Sequence, residues 1–224
     1  MATDHINLIF DLDGTLVDSQ PGIIESLKFA LADSGYSKEL SPSQVPVGPP
    51  LLDLIQSITN CYDRTTIDPI ILKFKEHYDC FGFSSSLLFE GVYDFLVSLY
   101  NSHFNLFIAT NKRLLPTLKI LEHFSIASFF KDVYAVDSFG INYPSKAKML
   151  TSLIDNHSLD SNIVYVGDRY DDYLAASENL ITFCYPLWGY SHEYQLLPND
   201  VLSTDLCAPS GFTDLLFSKP HPSF

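Results

Sequence analysis

The chain has 224 residues, which suits one large domain or a core domain with a smaller insertion. Its hydrophobic fraction of 46% is that of a globular protein, and no apolar run approaches the roughly 18 residues that a membrane span needs. The formal charge of −14, with no cluster of lysines and arginines to offset it, argues against nucleic-acid binding. A small phosphorylated substrate stays possible, because a local cation can dominate a cleft while distant charges are screened over about 10 Å.

Two further features bear on compartment and metal content. Residues 1–5 lack the basic and apolar regions of a signal peptide, so we expect a cytoplasmic protein without a membrane partner. The 4 cysteines are scattered, with no CxxC pair and no clustered histidines. Neither a zinc site nor a disulfide framework is therefore indicated.

The first strand is predicted at residues 6–10, an apolar run that leads into Asp11-Leu12-Asp13. Because alternate side chains of an extended chain share a face, Asp11 and Asp13 can start out aimed the same way. Gly14 then lets the chain turn away. Open α/β sheets bind ligands just outside the carboxyl ends of their strands, and two unpaired acids at such a place need a cation.

A largely helical stretch follows, up to about residue 101. Apolar residues at helical spacing predict one helix between Ser19 and Gly35, one over 51–58 and one from Asp68-Pro69 to Gly82. Residues 42–50, rich in proline, are predicted to form a loop between the first two helices.

From Glu90 onward, strands and helices alternate. The predicted order is a helix at 92–99, a strand at 106–109, a helix at 114–124, a strand at 133–136, a helix at 147–154, a strand at 163–166, a helix through 175–176 and a strand at 181–185. Strands that alternate with helices predict right-handed βαβ units and a parallel sheet. The expected fold class is α/β, with a Rossmann-like parallel sheet core and helices on both faces.

The helical block interrupts this alternation directly after the first strand. We therefore interpret residues 19–87 as a helical cap domain inserted into the core. The core domain would then consist of residues 1–18 and 88–224.

Polar residues follow several of the predicted strands. They are Thr110-Asn111-Lys112 after the strand at 106–109, Lys146 in the loop after the strand at 133–136, and Gly167-Asp168-Arg169-Tyr170-Asp171-Asp172 after the strand at 163–166. The carboxyl ends of parallel strands meet at one edge of a sheet. We therefore expect these residues to converge with Asp11 and Asp13.

At this point the chain resembles the haloacid dehalogenase (HAD) superfamily of aspartate-based phosphohydrolases. The matching residues are Asp11-Leu12-Asp13-Gly14-Thr15 for the DxDGT motif, Thr110 for the second-motif Thr/Ser, Lys146 for the third-motif lysine, and Gly167, Asp168 and Asp172 for the GDxxxD motif. The resemblance spans nearly the whole chain. A helical cap inserted after the first motif resembles the C1 class and its phosphoglycolate phosphatase-like branch.

The resemblance implies a two-step displacement through an aspartyl-phosphate. Asp11 would be the nucleophile, and Asp13 would be the general acid and then the general base. Mg²⁺ would be held by Asp11, the backbone carbonyl of Asp13 and Asp168. Thr110 and Lys146 would bind and neutralise the phosphoryl group.

The resemblance also implies supporting residues around these groups: Gly14, Thr15, Asn111, Gly167 and Asp172. The choice of catalytic lysine stays open, because Ser145-Lys146-Ala147-Lys148 offers two lysines. Lys148 lies about half a helical turn further round, and we expect it to be solvated.

Substrate specificity is assigned by the resemblance to the cap loop from Pro46 to Leu52. Val47, Gly48 and Pro49 are the candidate substrate-binding residues there. The branch often has an arginine after the tyrosine near position 78, but here Tyr78 is followed by Asp79.

The resemblance leaves several functions open. The preferred one is Mg²⁺-dependent hydrolysis of a small phosphorylated metabolite, such as phosphoglycolate, a nucleotide or a sugar phosphate. The alternatives are a phosphosugar mutase and a non-catalytic interaction protein on the same fold; the intact Asp11, Asp13, Lys146 and Asp168 count against the latter. Dehalogenases of the superfamily are excluded, because they lack an acid at the position of Asp13. The oligomeric state, monomer or dimer, is undetermined.

Overall fold

The computed structural model describes residues 6–36, 39–102, 104–140, 142–159, 162–190, 193–199 and 201–204. The strands are β1 (Asn7–Phe10), β2 (Val17–Asp18), β3 (Leu87–Leu88), β4 (Asn105–Thr110), β5 (Asp132–Ala135), β6 (Ile163–Val166), β7 (Thr182–Pro186) and β8 (Leu202–Thr204). The α-helices are α1 (Gln20–Ala32), α2 (Leu51–Thr59), α3 (Arg64–Cys80), α4 (Val92–Asn101), α5 (Leu114–His123), α6 (Lys146–Asn156) and α7 (Tyr170–Glu178). None of these helices is long and apolar enough to cross a membrane.

Six strands form one sheet in the order β5-β4-β1-β6-β7-β8, and each neighbouring pair runs parallel. The last residue of β1, Phe10, pairs with Ile108 of β4 on one side and Val166 of β6 on the other. After β1, the chain adds β4 and then β5 on one side of β1, and it later adds β6, β7 and β8 on the other side. The carboxyl end of β1 is therefore the point where the strand order reverses, which is where open α/β sheets bind their ligands.

Alternate residues of the central strands face two separate apolar cores. In β1, Leu8 and Phe10 belong to a core shared with α4 and α5, whereas Ile9 belongs to a core shared with α6 and α7. This is the period-2 alternation of an extended chain that is buried on both sides. Helices cover both faces of a parallel sheet, so the predicted α/β fold is confirmed.

Helices α1, α2 and α3 pack around a third apolar core of their own, in which Leu27, Ile55 and Ile67 are fully buried. The short strands β2 and β3 run antiparallel and pair Val17 with Leu88. This pairing joins the segment before the helical block to the segment after it. The domain limits at 18/19 and 87/88 stay a prediction.

Three local predictions were wrong. Helix α3 begins at Arg64 rather than near Asp68, because Asp63 caps it by accepting a hydrogen bond from the Thr65 amide at 3.2 Å. Lys146 was expected in a loop but is the first residue of α6, since the Ser145 hydroxyl caps that helix. Strands β2, β3 and β8 were not predicted, because strands of two or three residues are too short to show periodicity.

Candidate active site

One cavity of about 210 Å³ opens at the carboxyl end of the central strands, and the helical block forms its opposite wall. From the sheet side, Asp11, Asp13, Thr110, Lys146 and Asp168 line it. Strand β1 ends at Phe10, so both aspartates lie in the turn that follows the strand. Both side chains line the same cavity, as expected from the predicted parallel topology.

Asp11 lies in a buried charge cluster with a lysine and a second acid. The Lys146 ammonium is 3.2 Å from Asp11 Oδ1 and donates to Asp172 Oδ1 at 2.5 Å. Asp172 also accepts from the Tyr165 hydroxyl at 3.2 Å and from the Arg169 amide at 3.0 Å. Both oxygens of Asp172 are thus hydrogen-bonded, and this carboxylate fixes the position of Lys146. Tyr165 is a contributor that the motifs did not reveal.

Burial raises the pKa of two acids of this cluster, Asp11 and Asp168. Burial raises the pKa of Asp11 to about 6, although Lys146 works in the opposite direction. Burial, followed by the charge of Asp172, raises the pKa of Asp168 to about 8. Burial works to lower the pKa of Lys146, but Asp11 and Asp172 together raise it above its ordinary value. The cluster holds more negative than positive charge, so it favours an added cation.

The donor set fits a hard divalent cation. Asp11, Asp168 and Asp172 each bring a carboxylate oxygen to within 4.8 Å of the others. The buried Oδ1 of Asp168 accepts no hydrogen bond from the described residues, whereas Asp11 Oδ1 faces the Lys146 ammonium at 3.2 Å. Buried carboxylate oxygens are ordinarily paired or bound to a metal. Asp168 therefore has a free ligand atom, whereas Asp11 shares its Oδ1 with Lys146 and both oxygens of Asp172 already accept hydrogen bonds.

Gly14 makes the close approach of Asp168 possible. Its φ of +85° lies in the left-handed region, and a Cβ at this position would overlap the Asp168 carboxylate. Gly167 similarly leaves room for the Asp172 carboxylate. These two supporting glycines of the motifs thus shape the acid cluster without contributing a side chain to it.

In the metal-free protein, the free energy of unfolding is expected to fall as pH rises from about 4 to about 8. The ordinary pKa of an aspartate is 3.8, whereas the folded protein raises that of Asp168 to about 8. The folded state therefore keeps a proton that the unfolded chain has released. This stability is fully present below the unfolded pKa and is lost as pH rises through the folded pKa.

Urea unfolding in the presence of EDTA, at about pH 5 and about pH 8, measures this dependence. The Asp168→Asn variant is the control, and its unfolding free energy is expected to vary less between the two pH values. An equal change in the wild type and the Asp168→Asn variant would contradict the assignment.

Asp13 pairs with a different lysine from Asp11. The Lys112 ammonium donates to both carboxylate oxygens of Asp13, at 3.1 and 3.0 Å. It also lies 4.6 Å from the ring centroid of Tyr78, which belongs to α3. The sequence shows Lys112 directly after Thr110-Asn111, but its pairing with Asp13 is known only from the structure.

The remaining predicted residues of the core differ in their exposure. Thr110 is buried, and its hydroxyl accepts from the Lys112 amide at 3.3 Å. Asn111 is exposed and lines the cavity. Thr15 is fully buried outside the cavity wall, and its carbonyl accepts from the Trp188 indole at 2.8 Å. Lys148 is exposed, so Lys146 is the lysine that the structure places beside Asp11.

The predicted cap residues Val47, Gly48 and Pro49 line the cavity from the helical side. Pro50 and Leu52, which belong to the predicted loop, are not part of the cavity wall. Arg169 donates from Nη1 to the Val47 carbonyl at 3.1 Å, and a Cβ on Gly48 would overlap this guanidinium. Gly48 has a φ of +115°, so both its conformation and the approach of Arg169 require glycine.

A second contact between cap and core was not predicted. Arg113, next to Lys112, binds Asp79 near the end of α3 through two hydrogen bonds of 2.8 and 2.5 Å. Lys119 donates to the Asp79 backbone carbonyl at 2.5 Å. The sequence held one indication of this contact: Asp79 is an acid at a position where the phosphoglycolate phosphatase-like branch often has an arginine.

These features define an α/β enzyme with a buried acid cluster at the switch point of its sheet and a block of three helices over it. The family described as haloacid dehalogenase-like hydrolase matches residues 8–185. The chain belongs to this family. The family predicted from the sequence motifs is therefore confirmed. The prediction of a hydrolase is confirmed as well, and the relatives of the chain include phosphatases.

Similar proteins include named phosphatases. A 5'-nucleotidase of Pseudomonas aeruginosa is 30% identical over 197 residues, which cover 87% of this chain and 88% of that protein. A phosphoglycolate phosphatase of Vibrio parahaemolyticus is 32% identical over 204 residues, covering 86% and 88%. The solved structure of a haloacid dehalogenase-like family hydrolase from Streptococcus pneumoniae matches with a TM-score of 0.79 and 26% identity, covering 94% of this chain and 99% of that one.

Proposed function

We propose that the chain is a Mg²⁺-dependent phosphatase that hydrolyses a small phosphate monoester through an aspartyl-phosphate on Asp11. The observation that carries this proposal is the buried Asp11 carboxylate, ion-paired with Lys146 and clustered with Asp168 in a cavity that Asp13 also lines. Relatives named phosphoglycolate phosphatase and 5'-nucleotidase support the reaction class. Phosphoglycolate-like esters, nucleotides and sugar phosphates are the candidate substrates.

In the first step, a carboxylate oxygen of Asp11 attacks phosphorus and the bond to the leaving oxygen breaks. Asp13 gives its proton to the departing alcohol, so that no alkoxide is released. Lys146 and the Thr110 hydroxyl stabilise the negative charge on the phosphoryl oxygens. When bound by Asp11, Asp168 and the Asp13 carbonyl, Mg²⁺ would supply further positive charge to those oxygens.

In the second step, water attacks the phosphorus of the aspartyl-phosphate. Asp13, now a carboxylate, accepts a proton from this water as the bond from phosphorus to Asp11 breaks. Inorganic phosphate leaves, and both aspartates return to their starting states. Lys112 binds both oxygens of the Asp13 carboxylate and so holds it in place as the base of this second step.

Release of phosphate from 4-nitrophenyl phosphate is expected with Mg²⁺ and is expected to be lost in excess EDTA. Restoring Mg²⁺ should restore the rate, because the acid cluster supplies ligands but no divalent charge of its own. Full activity in EDTA would contradict the metal assignment, and no turnover with any metal would favour the non-catalytic alternative.

Measuring phosphate release from sugar phosphates distinguishes a hydrolase from a mutase. A hydrolase is expected to release one phosphate for each sugar phosphate consumed. A mutase would isomerise the sugar phosphate and release little phosphate, so equal amounts of sugar and free phosphate in the products would exclude it.

A further inference from the structure

An arginine that follows β4 and an aspartate near the end of α3 form a bidentate ion pair beside the proposed reaction centre. Arg113 precedes α5 and lines the same cavity as Asp11 and Lys146. Its two terminal nitrogens bind the two carboxylate oxygens of Asp79 at 2.8 and 2.5 Å. The Asp79 side chain is 14% exposed and the Arg113 side chain 28%, so the pair is partly shielded from water.

This geometry is the one by which a guanidinium recognises a carboxylate. Asp79 is not part of the cavity wall, but it occupies the two nitrogens with which Arg113, which lines the cavity, would bind a carboxylate on the leaving alcohol. A substrate carboxylate would also be repelled by Asp79 itself, because two like charges would share one guanidinium.

The other cations that line the cavity already contact groups of the protein. Lys112 binds Asp13, Lys146 binds Asp11 and Asp172, and Arg169 donates to the Val47 carbonyl. These interactions serve the reaction centre and the cap loop. An acidic leaving group would have to displace one of them and would lose the free energy that the displaced contact contributes.

Much of the cap side of the cavity is apolar. Its wall includes Ile23, Pro46, Leu51, Leu54 and Phe74. An uncharged leaving alcohol loses little solvation on entering such surroundings, whereas a carboxylate loses much.

We propose that Asp79 is a specificity-determining residue that excludes phosphate esters whose leaving alcohol carries a carboxylate. The substrate is then a monoester with an uncharged leaving alcohol, a class that excludes phosphoglycolate. This inference rests on the proposed phosphatase function.

The test compares two esters that differ in one group. Phosphoglycolate carries a carboxylate where 2-hydroxyethyl phosphate carries an uncharged hydroxymethyl group. Inhibition constants of both are measured against Mg²⁺-dependent hydrolysis of 4-nitrophenyl phosphate, so neither ester has to be a good substrate. The wild type is expected to bind 2-hydroxyethyl phosphate at least about tenfold more tightly.

Asp79→Asn is expected to reduce or reverse this preference by about tenfold, through tighter binding of phosphoglycolate alone. Adding Arg113→Met should remove the gain, because the guanidinium supplies it. Lys119→Met is the matched control: it removes a lysine that contacts the Asp79 carbonyl from outside the cavity wall, and the ratio should not change. Asp79→Ser serves as a second variant should the first fail to fold.

Tighter binding of phosphoglycolate by the wild type, or an unchanged ratio in active Asp79 variants, would overturn the specificity assignment while the phosphatase function stands. Absence of 4-nitrophenyl phosphate hydrolysis by the wild type would instead overturn the phosphatase function, and this inference with it.

Discussion

Asp11→Asn is expected to lower kcat/KM for 4-nitrophenyl phosphate by at least about 10⁴-fold, because an amide oxygen cannot replace the carboxylate nucleophile. The fold should persist. The substitution keeps the shape of the side chain and removes one of the acids clustered with Asp168 and Asp172. Lys146 keeps its hydrogen bond to Asp172, so no buried cation is left unpaired.

Kinetics and urea unfolding of the same preparation measure the two effects separately. Asp155→Asn is the matched control, since it makes the same chemical change at an exposed position of α6. It should leave both kcat/KM and the free energy of unfolding within error of the wild type. An Asp11→Asn variant that keeps a tenth or so of the activity would rule out Asp11 as the nucleophile.

Lys146→Met is expected to have the second-largest effect, on stability as well as activity. It leaves Asp11 and Asp172 buried without their cation. Breaking such a buried ion pair from one side costs about 3–5 kcal/mol in the free energy of unfolding. The rate should fall about 10³-fold, since the phosphoryl charge also loses a partner.

Lys148→Met is the control for this variant, because Lys148 is exposed two residues further along the same helix. It should change the free energy of unfolding by less than about 0.5 kcal/mol and leave the rate unchanged. Urea unfolding and phosphate release measure both. Similar losses in the two variants would mean that the catalytic lysine had been assigned to the wrong residue.

Much of the architecture could be predicted from contiguous residues. The apolar run 106–109 in β4 leads into Thr110-Asn111, with Thr110 as the last residue of the strand, and β6 lies directly before Gly167-Asp168, so each strand and its polar residues could be assigned together. The parallel sheet then implied one shared edge. Local signals were weaker where capping decided the outcome, as at Asp63 and Ser145, whose side chains set the starts of α3 and α6.

The family, the α/β fold and the acids around Asp11 could be predicted from the sequence, because they depend on hydrophobic periodicity and on short motifs whose residues are neighbours in the chain. The pairing of the charges, in contrast, depends on the tertiary structure. Lys112 meets Asp13 across 99 residues, and Arg113 meets Asp79 across 34 residues. From the sequence alone, each lysine or arginine could have paired with several acids, since Coulomb attraction depends on distance in space and not on position in the chain. Helix α3 places Tyr78 beside Lys112 and Asp79 beside Arg113, next to the side of the cavity that we propose receives the leaving alcohol.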